Sequence, residues 1–336
     1  MKYALVRFSG IYLFDENIRL VDKKKVEFDA EDILTIKEGK LPNNIKKILP
    51  QGVLFLGQRF EDFRTEDNVG KIRKALGQIR DEDFITVQPQ FVRAAIRDIS
   101  RSVTRDLIII QAISMLDDLN KIINLMMERF REWYELYLPE LSQMIDDHEK
   151  FVKTVSGKTR EELMKEYGIE DTMGGDLTEM DIEMLNNISK RILELYRLRE
   201  DLRKYIEKLM EEVAPNVKAI AGPTVGARLI ALAGGLKELA MLPASTIQVL
   251  GAEKALFRHL RKGTPPPKHG VLFNHPMVQK LPKKRRGAMA RTLAAKISIA
   301  AKVDAFTPGK FIADRLQKEL EERFRQLKEG IKGKTK

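Results

Sequence analysis

The sequence of 336 residues contains no cysteine. This absence excludes disulfide bonds, thiolate zinc sites and a cysteine nucleophile. No apolar run approaches the roughly 18 residues that a membrane helix needs. The first ten residues, MKYALVRFSG, also lack the apolar stretch of a signal peptide. We therefore expect a soluble, intracellular protein of a reducing compartment.

Acidic residues are almost missing between Glu238 and Asp304. This stretch holds one, Glu253, against thirteen Lys and Arg residues. Such an excess of one sign predicts a polyanionic partner, and nucleic acid is the simplest one because its phosphates release counterions on binding. For any single basic residue the alternative is a solvated surface charge. The lack of carboxylates also disfavours metal-dependent transferase or nuclease chemistry here.

Charge is distributed in blocks along the rest of the chain as well. Residues 1–88 have a net charge of +1, 89–118 of 0, 119–213 of −7 and 214–336 of +17, which accounts for the total of +11. Blocks of different sign predict separate domains with separate tasks.

The first block, 1–88, is predicted to be a small α/β domain. Short apolar runs and turn residues predict strands at 3–8, 11–14, 18–21 and 52–56, a helix from an Asp29 cap to Lys37, a helix over 66–76, and a last strand or extended segment at 84–87. The block has neither a nucleotide-binding glycine loop nor clustered catalytic residues. By elimination we expect a docking module, and the alternative is a structural cap.

The middle of the chain is predicted to be helical, with a connecting helix at 89–118 and an antiparallel coiled-coil hairpin at 119–213. Pro139 should break the first arm, and the glycine-containing segment 156–178 should form the turn. The second arm has apolar residues at heptad spacing, interrupted by Arg199. We predict self-association through Leu185, Ile188, Ile192, Leu195, Leu202, Ile206 and Leu209. The alternative is a hairpin that pairs only within one chain.

The last block, 214–330, is predicted to be all-α. Helices are expected at 225–233, 236–242, 245–260 with Ser245 as N-cap, and 287–305. The segment 222–226 lacks the lysine of a phosphate-binding loop, which leaves a helix-hairpin-helix loop or a tight corner between helices. The spacing of His259, His269 and His275 fits no familiar zinc site.

The resemblance to a known family rests on a run in this block. Residues 251–260 read GAEKALFRHL, and PKHG at 267–270, RRG at 285–287 and Arg291 follow. This pattern resembles the signature of the Nop domain, and residues 220–230 (IAGPTVGARLI) resemble its beginning. The order of an α/β head, a long coiled coil and a basic all-α domain is also similar, so the resemblance covers essentially the whole chain.

The resemblance implies a non-catalytic scaffold of box C/D small ribonucleoproteins, similar to the archaeal members of the family. The head would bind fibrillarin, the RNA 2′-O-methyltransferase that carries S-adenosylmethionine, so no cofactor is expected on this chain. The coiled coil would form a homodimer. The Nop domain would hold a kink-turn guide RNA already bound by a small ribosomal-protein-like partner. The short basic tail, 331–336, has no implied role, and the implied compartment is the cytoplasm.

The resemblance also implies which residues do the binding. The implied RNA contacts are Lys254, Arg258, Arg261, Lys268, His269, Arg285, Arg286 and Arg291. Gly251, Ala252 and Glu253 would meet the protein partner, and no catalytic or metal residue is implied. Two alternatives stay open: a DNA-binding helix-hairpin-helix protein, and a spliceosomal type of Nop protein without a fibrillarin-binding head.

Overall fold

The computed structural model describes residues 2–7, 9–79 and 84–329, with the backbone alone at 84–87. These residues fall into two compact units, Met1–Thr104 and Arg105–Lys336. A five-stranded sheet lies in the first unit, and the described part of the second is built from helices. The fold class is α+β, as predicted. Within the described ranges no helix combines the length and apolar character needed to cross a membrane.

The sheet of the first unit has the strand order β3-β2-β1-β4-β5. Its strands are β1 Tyr3–Arg7, β2 Gly10–Phe14, β3 Leu20–Lys24, β4 Leu54–Leu56 and β5 Thr65–Glu66. The first three are antiparallel neighbours, whereas β4 runs parallel to β1 and β5 parallel to β4. At the turn after β1, a Cβ atom on Gly10 would lie 2.2 Å from the Lys24 carbonyl oxygen. This close approach explains why the turn requires glycine.

The helices of this unit are α1 Ala30–Lys37, α2 Asn43–Lys46, α3 Val69–Leu76 and α4 Phe84–Arg101. Helices α1 and α2 pack on one face of the sheet and α3 on the other, whereas α4 packs on α1. The predicted cap of α1 is confirmed, since the Asp29 side chain accepts hydrogen bonds from the backbone N–H groups of Glu31 and Asp32. The helix predicted at 66–76 begins later, at Val69, because Asn68 caps it and accepts from the Lys71 N–H group.

The prediction of a strand or extended segment at 84–87 is wrong. The backbone there is helical, and Pro89 lies inside α4. Pro89 is the sixth residue of α4 and has no N–H group, so the helix lacks the hydrogen bond that residue 89 would donate to the carbonyl oxygen of residue 85. Packing compensates for that loss: Ala94 is buried against Ala30 and Leu34 of α1.

The second unit begins with the helical hairpin. Its helices are α5 Arg105–Tyr134, α6 Pro139–Met144, α7 His148–Val155, α8 Arg160–Tyr167 and α9 Glu179–Val213. The predicted connecting helix, 89–118, is therefore two helices, α4 and α5, separated at 102–104. The break near Pro139 is confirmed, with this proline as the first residue of α6. The segment predicted as a turn contains α8, which Thr159 caps and Gly168 ends.

The heptad residues of α9 are buried within the chain itself. Leu185, Ile192, Ile206 and Leu209 are at most 3% exposed. Ile188, Leu195 and Leu202 are half-buried against the same cores. Their partners on α5 include Leu119, Ile123 and Phe130. Side chains that already fill an intrachain core are not available to a second copy, so the assignment of Leu185, Ile192, Ile206 and Leu209 as a dimer surface is corrected. For the three half-buried residues it stays a prediction.

The remaining helices form the basic domain. They are α10 Pro215–Ala221, α11 Pro223–Ala233, α12 Leu236–Met241, α13 Ala244–Val249, α14 Glu253–Lys262, α15 Pro276–Gln279, α16 Lys283–Phe306 and α17 Ala313–Glu329. The central helix is α16, with Met289, Leu293 and Ile297 fully buried. α16 begins at Lys283 rather than at 287, and α17 was not predicted.

The single helix predicted at 245–260 is two helices, α13 and α14. Gly251 between them has a φ of +82°, a left-handed conformation that ends a right-handed helix. The N-cap of α13 is Pro243, so the prediction of Ser245 in that role is wrong.

Candidate nucleic-acid interface

Helix α14 presents three cations to solvent. Lys254, Arg258 and Arg261 are all exposed, and spacings of three and four residues place them along one side of the helix. Among the described residues, none of the three has an ion-pair partner. No residue of α14 is buried. We call these residues the α14 group; three charges without a counterion on a projecting helix suit a polyanion.

The turn before α14 is fixed by its own carboxylate. The Gly251 N–H group donates to Glu253 Oε1 over 2.7 Å. A Cβ atom on Gly251 would lie 2.5 Å from Val271 Cγ2, so the turn rests directly on the 3-10 turn Val271–Asn274. Glu253 is exposed, as the sequence interpretation required for a partner contact, but its demonstrated role is to close this turn.

A second group of predicted contact residues lies around the ring of Phe273. The His269 ring stacks on Phe273 with 5.0 Å between centroids and 20° between planes. The Arg286 guanidinium carbon lies 5.2 Å from the same ring centroid. With the neighbouring Lys268 we call this set the Phe273 group. Burial, and next the charge of Arg286, lower the pKa of His269. At neutral pH this imidazole is therefore uncharged and is suited to stacking or hydrogen bonding rather than to charge pairing.

The loop that carries Lys268 is held at both ends. Gln248 Nε2 donates to the Lys268 carbonyl oxygen over 2.8 Å, and the Gly270 N–H group donates to the Gln248 carbonyl oxygen over 3.1 Å. A Cβ atom on Gly287 would lie 3.3 Å from Lys268 Cβ, so the loop packs on the first turns of α16. The backbone segment 248–251, which leads into α14, therefore also holds the loop that carries Lys268 and His269.

The two remaining predicted arginines differ in their surroundings. Arg285 donates a hydrogen bond to the Leu327 carbonyl oxygen and ties α16 to α17, which is a structural role. Arg291 is exposed and lies one helical turn after Gly287, on the side where Lys268 packs. Arg291 thus lies on the same side of α16 as Gly287, whereas Arg285 is held in an intrachain contact.

The neighbouring histidines and glycines have packing roles. His259 Nδ1 is hydrogen-bonded to the Thr264 carbonyl oxygen, and His275 Nδ1 accepts from the Met277 N–H group over 3.2 Å. Gly226 is buried, and a Cβ atom there would lie 2.8 Å from Met210 Cε and 3.1 Å from Val217 Cγ1. The segment 222–226 is therefore a tight corner between α10 and α11, which is the second of the two alternatives given above, and not an open phosphate loop.

Three residues of this surface were missed by the sequence interpretation. Phe257 and Leu260 of α14 are 58% and 70% exposed, beside the α14 group. Phe273 supports both His269 and Arg286. The four-residue spacing of His269 and Phe273 was a usable signal for the stack. The exposure of Phe257 and Leu260 had no sequence signal, because an apolar residue on an amphipathic helix is expected to be buried.

Comparison with known families identifies the class to which this architecture belongs. The profile of the family described as "Nop: snoRNA binding domain, fibrillarin" matches residues 115–326, which cover the hairpin and the basic domain. The chain belongs to the Nop family.

Individual relatives agree with this assignment. An uncharacterized NOP5 family protein of Methanocaldococcus jannaschii is 41% identical over 283 residues, covering 78% of this chain and 67% of the relative. Nucleolar protein 56 of Schizosaccharomyces pombe is 35% identical over 299 residues, covering 80% of this chain and 60% of that protein. Nucleolar protein 58 of Lodderomyces elongisporus is 34% identical over 315 residues, covering 87% and 59%. The chain thus spans about two thirds or less of the length of these relatives.

A solved structure is also similar. A chain from the crystal structure of a fibrillarin/Nop5p complex is 22% identical, with a TM-score of 0.43, and the match covers 96% of this chain and 99% of that one. At this level of similarity we build no argument on that structure.

Proposed function

We propose that this protein is a non-catalytic scaffold of a box C/D ribonucleoprotein. It binds a kink-turn guide RNA together with a small RNA-binding protein and positions fibrillarin for RNA 2′-O-methylation. The family description, which names snoRNA binding and fibrillarin, supports this proposal. S-adenosylmethionine would be carried by the methyltransferase, and methyl transfer would take place there.

The observation that carries the RNA-binding part is the unpaired state of the α14 group. Elsewhere in the described chain, many exposed Lys and Arg residues have a carboxylate partner, such as Arg105 with Glu212 at 2.7 Å. Lys254, Arg258 and Arg261 have none, because acidic residues are nearly absent from this stretch. Their charge is available to phosphates, and each contact adds to the salt dependence of binding.

The test is a salt titration of binding to a kink-turn guide RNA, with and without the small RNA-binding protein. We expect Arg258→Ala to weaken binding several-fold and to reduce the slope of log K against log salt by about 0.7–0.9. The triple change of Lys254, Arg258 and Arg261 to Ala should reduce the slope by about 2 to 3. Lys237→Ala is the matched control, since Lys237 is exposed in the same unit but outside both groups.

Two results would count against the proposal. One is an equal effect of Lys237→Ala and Arg258→Ala, which would show a general charge effect. The other is a slope that the triple variant leaves unchanged. RNA binding that does not depend on the small partner would favour a generic basic protein over the scaffold.

The docking of fibrillarin needs an apolar surface on the N-terminal unit, and α4 provides a candidate. Val92, Ile96, Ile99 and Val103 on or just after this helix are 50%, 60%, 68% and 62% exposed. The spacing of four and three residues places Val92, Ile96 and Ile99 on one stripe of α4, and Val103 follows the end of the helix. We propose that fibrillarin binds there. Ile96→Glu should abolish its capture in a pull-down, whereas Arg93→Glu on the same helix should not; retention by both variants would place the docking site elsewhere.

Self-association needs a face of the hairpin that its own core does not use. Ile122 and Leu125 of α5 and Leu198 and Tyr205 of α9 are 42–58% exposed. We propose that a second copy covers these side chains in place of the buried heptad residues. Sedimentation equilibrium of the full chain at micromolar concentration should show a dimer, and Leu198→Glu should shift it to monomer. A monomeric wild type would refute this part of the proposal.

A further inference from the structure

The N-terminal unit contains an open groove of about 740 Å³ that neither RNA binding nor the α4 stripe uses. Its floor is formed by residues 5–7 at the end of β1 and 56–58 at the end of β4. Its sides are formed by Ile33 and Ile36 of α1, by Ile72 and Leu76 of α3, and by Phe91 of α4. The groove therefore lies between the two helix layers that cover the sheet.

The position of the groove follows from the strand order. From β1 the chain passes to β2 and β3 on one side of the sheet, then crosses through α1 and α2 to β4 on the other side of β1. Because β1 and β4 are parallel, their carboxyl ends meet at the same edge. The groove lies against this edge of the sheet, beside the last residues of β1 and β4.

The chemistry of the lining restricts the ligand. Most described lining residues are apolar, and its charged residues are Arg7 and Lys37, with no carboxylate among them. Gln58 forms part of the wall: its Oε1 accepts from the Val6 N–H group and its Nε2 donates to the Val6 carbonyl oxygen, both over 2.8 Å. Gln58 is thus held by the backbone of β1 and shapes the groove.

Lys37 is able to turn toward a ligand. Its ammonium group is paired with Asp98, but the two side chains are 66% and 45% exposed. An exposed surface pair of this kind contributes little to stability, so exchanging Asp98 for a ligand anion has little cost. The groove thus offers apolar walls with a cationic end.

We propose that this groove binds a small molecule with an aromatic or branched apolar body and one anionic group. Its volume lies in the range of about 300–1,000 Å³ that ligand pockets occupy. The apolar body fills the space between α1 and α3, and the anion meets Lys37. The site belongs to this chain alone and does not depend on the proposed ribonucleoprotein function.

Two fluorescent probes test the proposal on the full chain. 1-Anilinonaphthalene-8-sulfonate has the proposed chemistry, and N-phenyl-1-naphthylamine has the same rings without the sulfonate. We expect saturable one-to-one binding of the sulfonate, at least five-fold weaker binding of the neutral probe, and loss of most of that difference in Lys37→Ala.

Two matched variants locate the site. Leu76 lines the groove at 40% exposure, and Val69 lies at the start of the same helix at 61% exposure, outside the groove. Leu76→Glu should weaken sulfonate binding at least ten-fold, whereas Val69→Glu should change it less than two-fold. Leu76→Trp, which fills the groove without adding charge, should weaken both probes and guards against a folding defect of the glutamate variant.

Three outcomes would overturn the inference: no saturable binding, equal affinity for both probes, or equal effects of the Leu76 and Val69 variants. A fourth is displacement of both probes by fibrillarin, together with loss of fibrillarin capture in Leu76→Trp. That result would assign the groove to a protein partner instead of a small molecule.

Discussion

Asn216→Ala should be among the most damaging single substitutions in the second unit. Asn216 is fully buried. Its Nδ2 donates to Asp304 Oδ1 over 2.6 Å and to the Lys310 carbonyl oxygen over 2.9 Å, and its Oδ1 accepts from the Ile312 N–H group over 2.7 Å. One side chain thus joins α10, the end of α16 and the segment before α17.

The magnitude follows from the groups that the substitution leaves without partners. The Ile312 N–H group and the Lys310 carbonyl oxygen each lose a partly buried hydrogen bond, at about 1–3 kcal/mol each. Asp304 retains the N–H groups of Val217 at 2.9 Å and of residue 216 at 3.2 Å. We therefore expect the free energy of unfolding to fall by about 4 kcal/mol.

The assay uses the only tryptophan of the chain, Trp133, which lies in the second unit on α5. Urea unfolding followed by its fluorescence reports on this unit, and the shift in midpoint multiplied by the slope m gives the change in free energy. Asn187→Ala, at an exposed position of α9, should stay within about 0.5 kcal/mol of the wild type. A loss below about 1 kcal/mol for Asn216→Ala would refute the reasoning from unsatisfied groups.

Three further predictions use the same unfolding assay. Burial lowers the pKa of His275, and burial together with the charge of Arg286 lowers the pKa of His269. The unfolded chain therefore binds protons more readily than the folded one. The stabilising contribution of both histidines is complete above the pKa of an unfolded histidine and is lost as the pH falls through the lowered pKa values of the folded protein. Stability should therefore decrease from pH 7 to pH 5, and His275→Asn should reduce this dependence; a flat profile in the wild type would contradict it. Gly226→Glu should unfold the second unit because of the contacts with α9 and α10, and loss of DNA binding in a still-folded variant would revive the helix-hairpin-helix alternative. Arg228→Lys should lower the free energy of unfolding by about 1 kcal/mol. The Arg228 guanidinium on α11 contacts both carboxylate oxygens of Asp117 on α5, and an ammonium group cannot form this forked contact. Equal stability of the variant would show that a point charge suffices.

The sequence interpretation succeeded where local chemistry decides the structure. Asp29 caps α1, Ser9-Gly10 leads from the β1 turn into β2, and Pro139 begins α6 after the break in the first arm. It failed where packing overrides a local signal. Pro89 suggested extended backbone at 84–87, but burial of Ala94 against α1 accompanies a helix that runs through the proline. Similarly, the left-handed Gly251 divides a helical pattern that periodicity alone continued.

The candidate site shows the same division. The basic composition and the order of residues in 251–291 predicted the region, and the α14 group lies on one exposed side as the spacing required. Sequence could not distinguish Arg285, which binds the Leu327 carbonyl oxygen of α17, from Arg286, which lies over Phe273. Adjacent residues on a helix point in directions about 100° apart, so the neighbouring elements decide which groups each arginine contacts. Arg286 also donates to the Leu281 and Gln279 carbonyl oxygens.

The sequence by itself determined the α+β class, the helical hairpin, the family signature and the concentration of positive charge in the basic domain, because each is written in local pattern or composition. Only the tertiary structure decided which apolar residues of the hairpin are already used. The heptad residues of α9 specify an apolar contact surface, and a helix of the same chain or of a second chain covers such a surface equally well. In the structure α5 occupies it, since the turn brings the two helices together within one chain. The surface left for a partner is therefore the one that the heptad pattern did not mark.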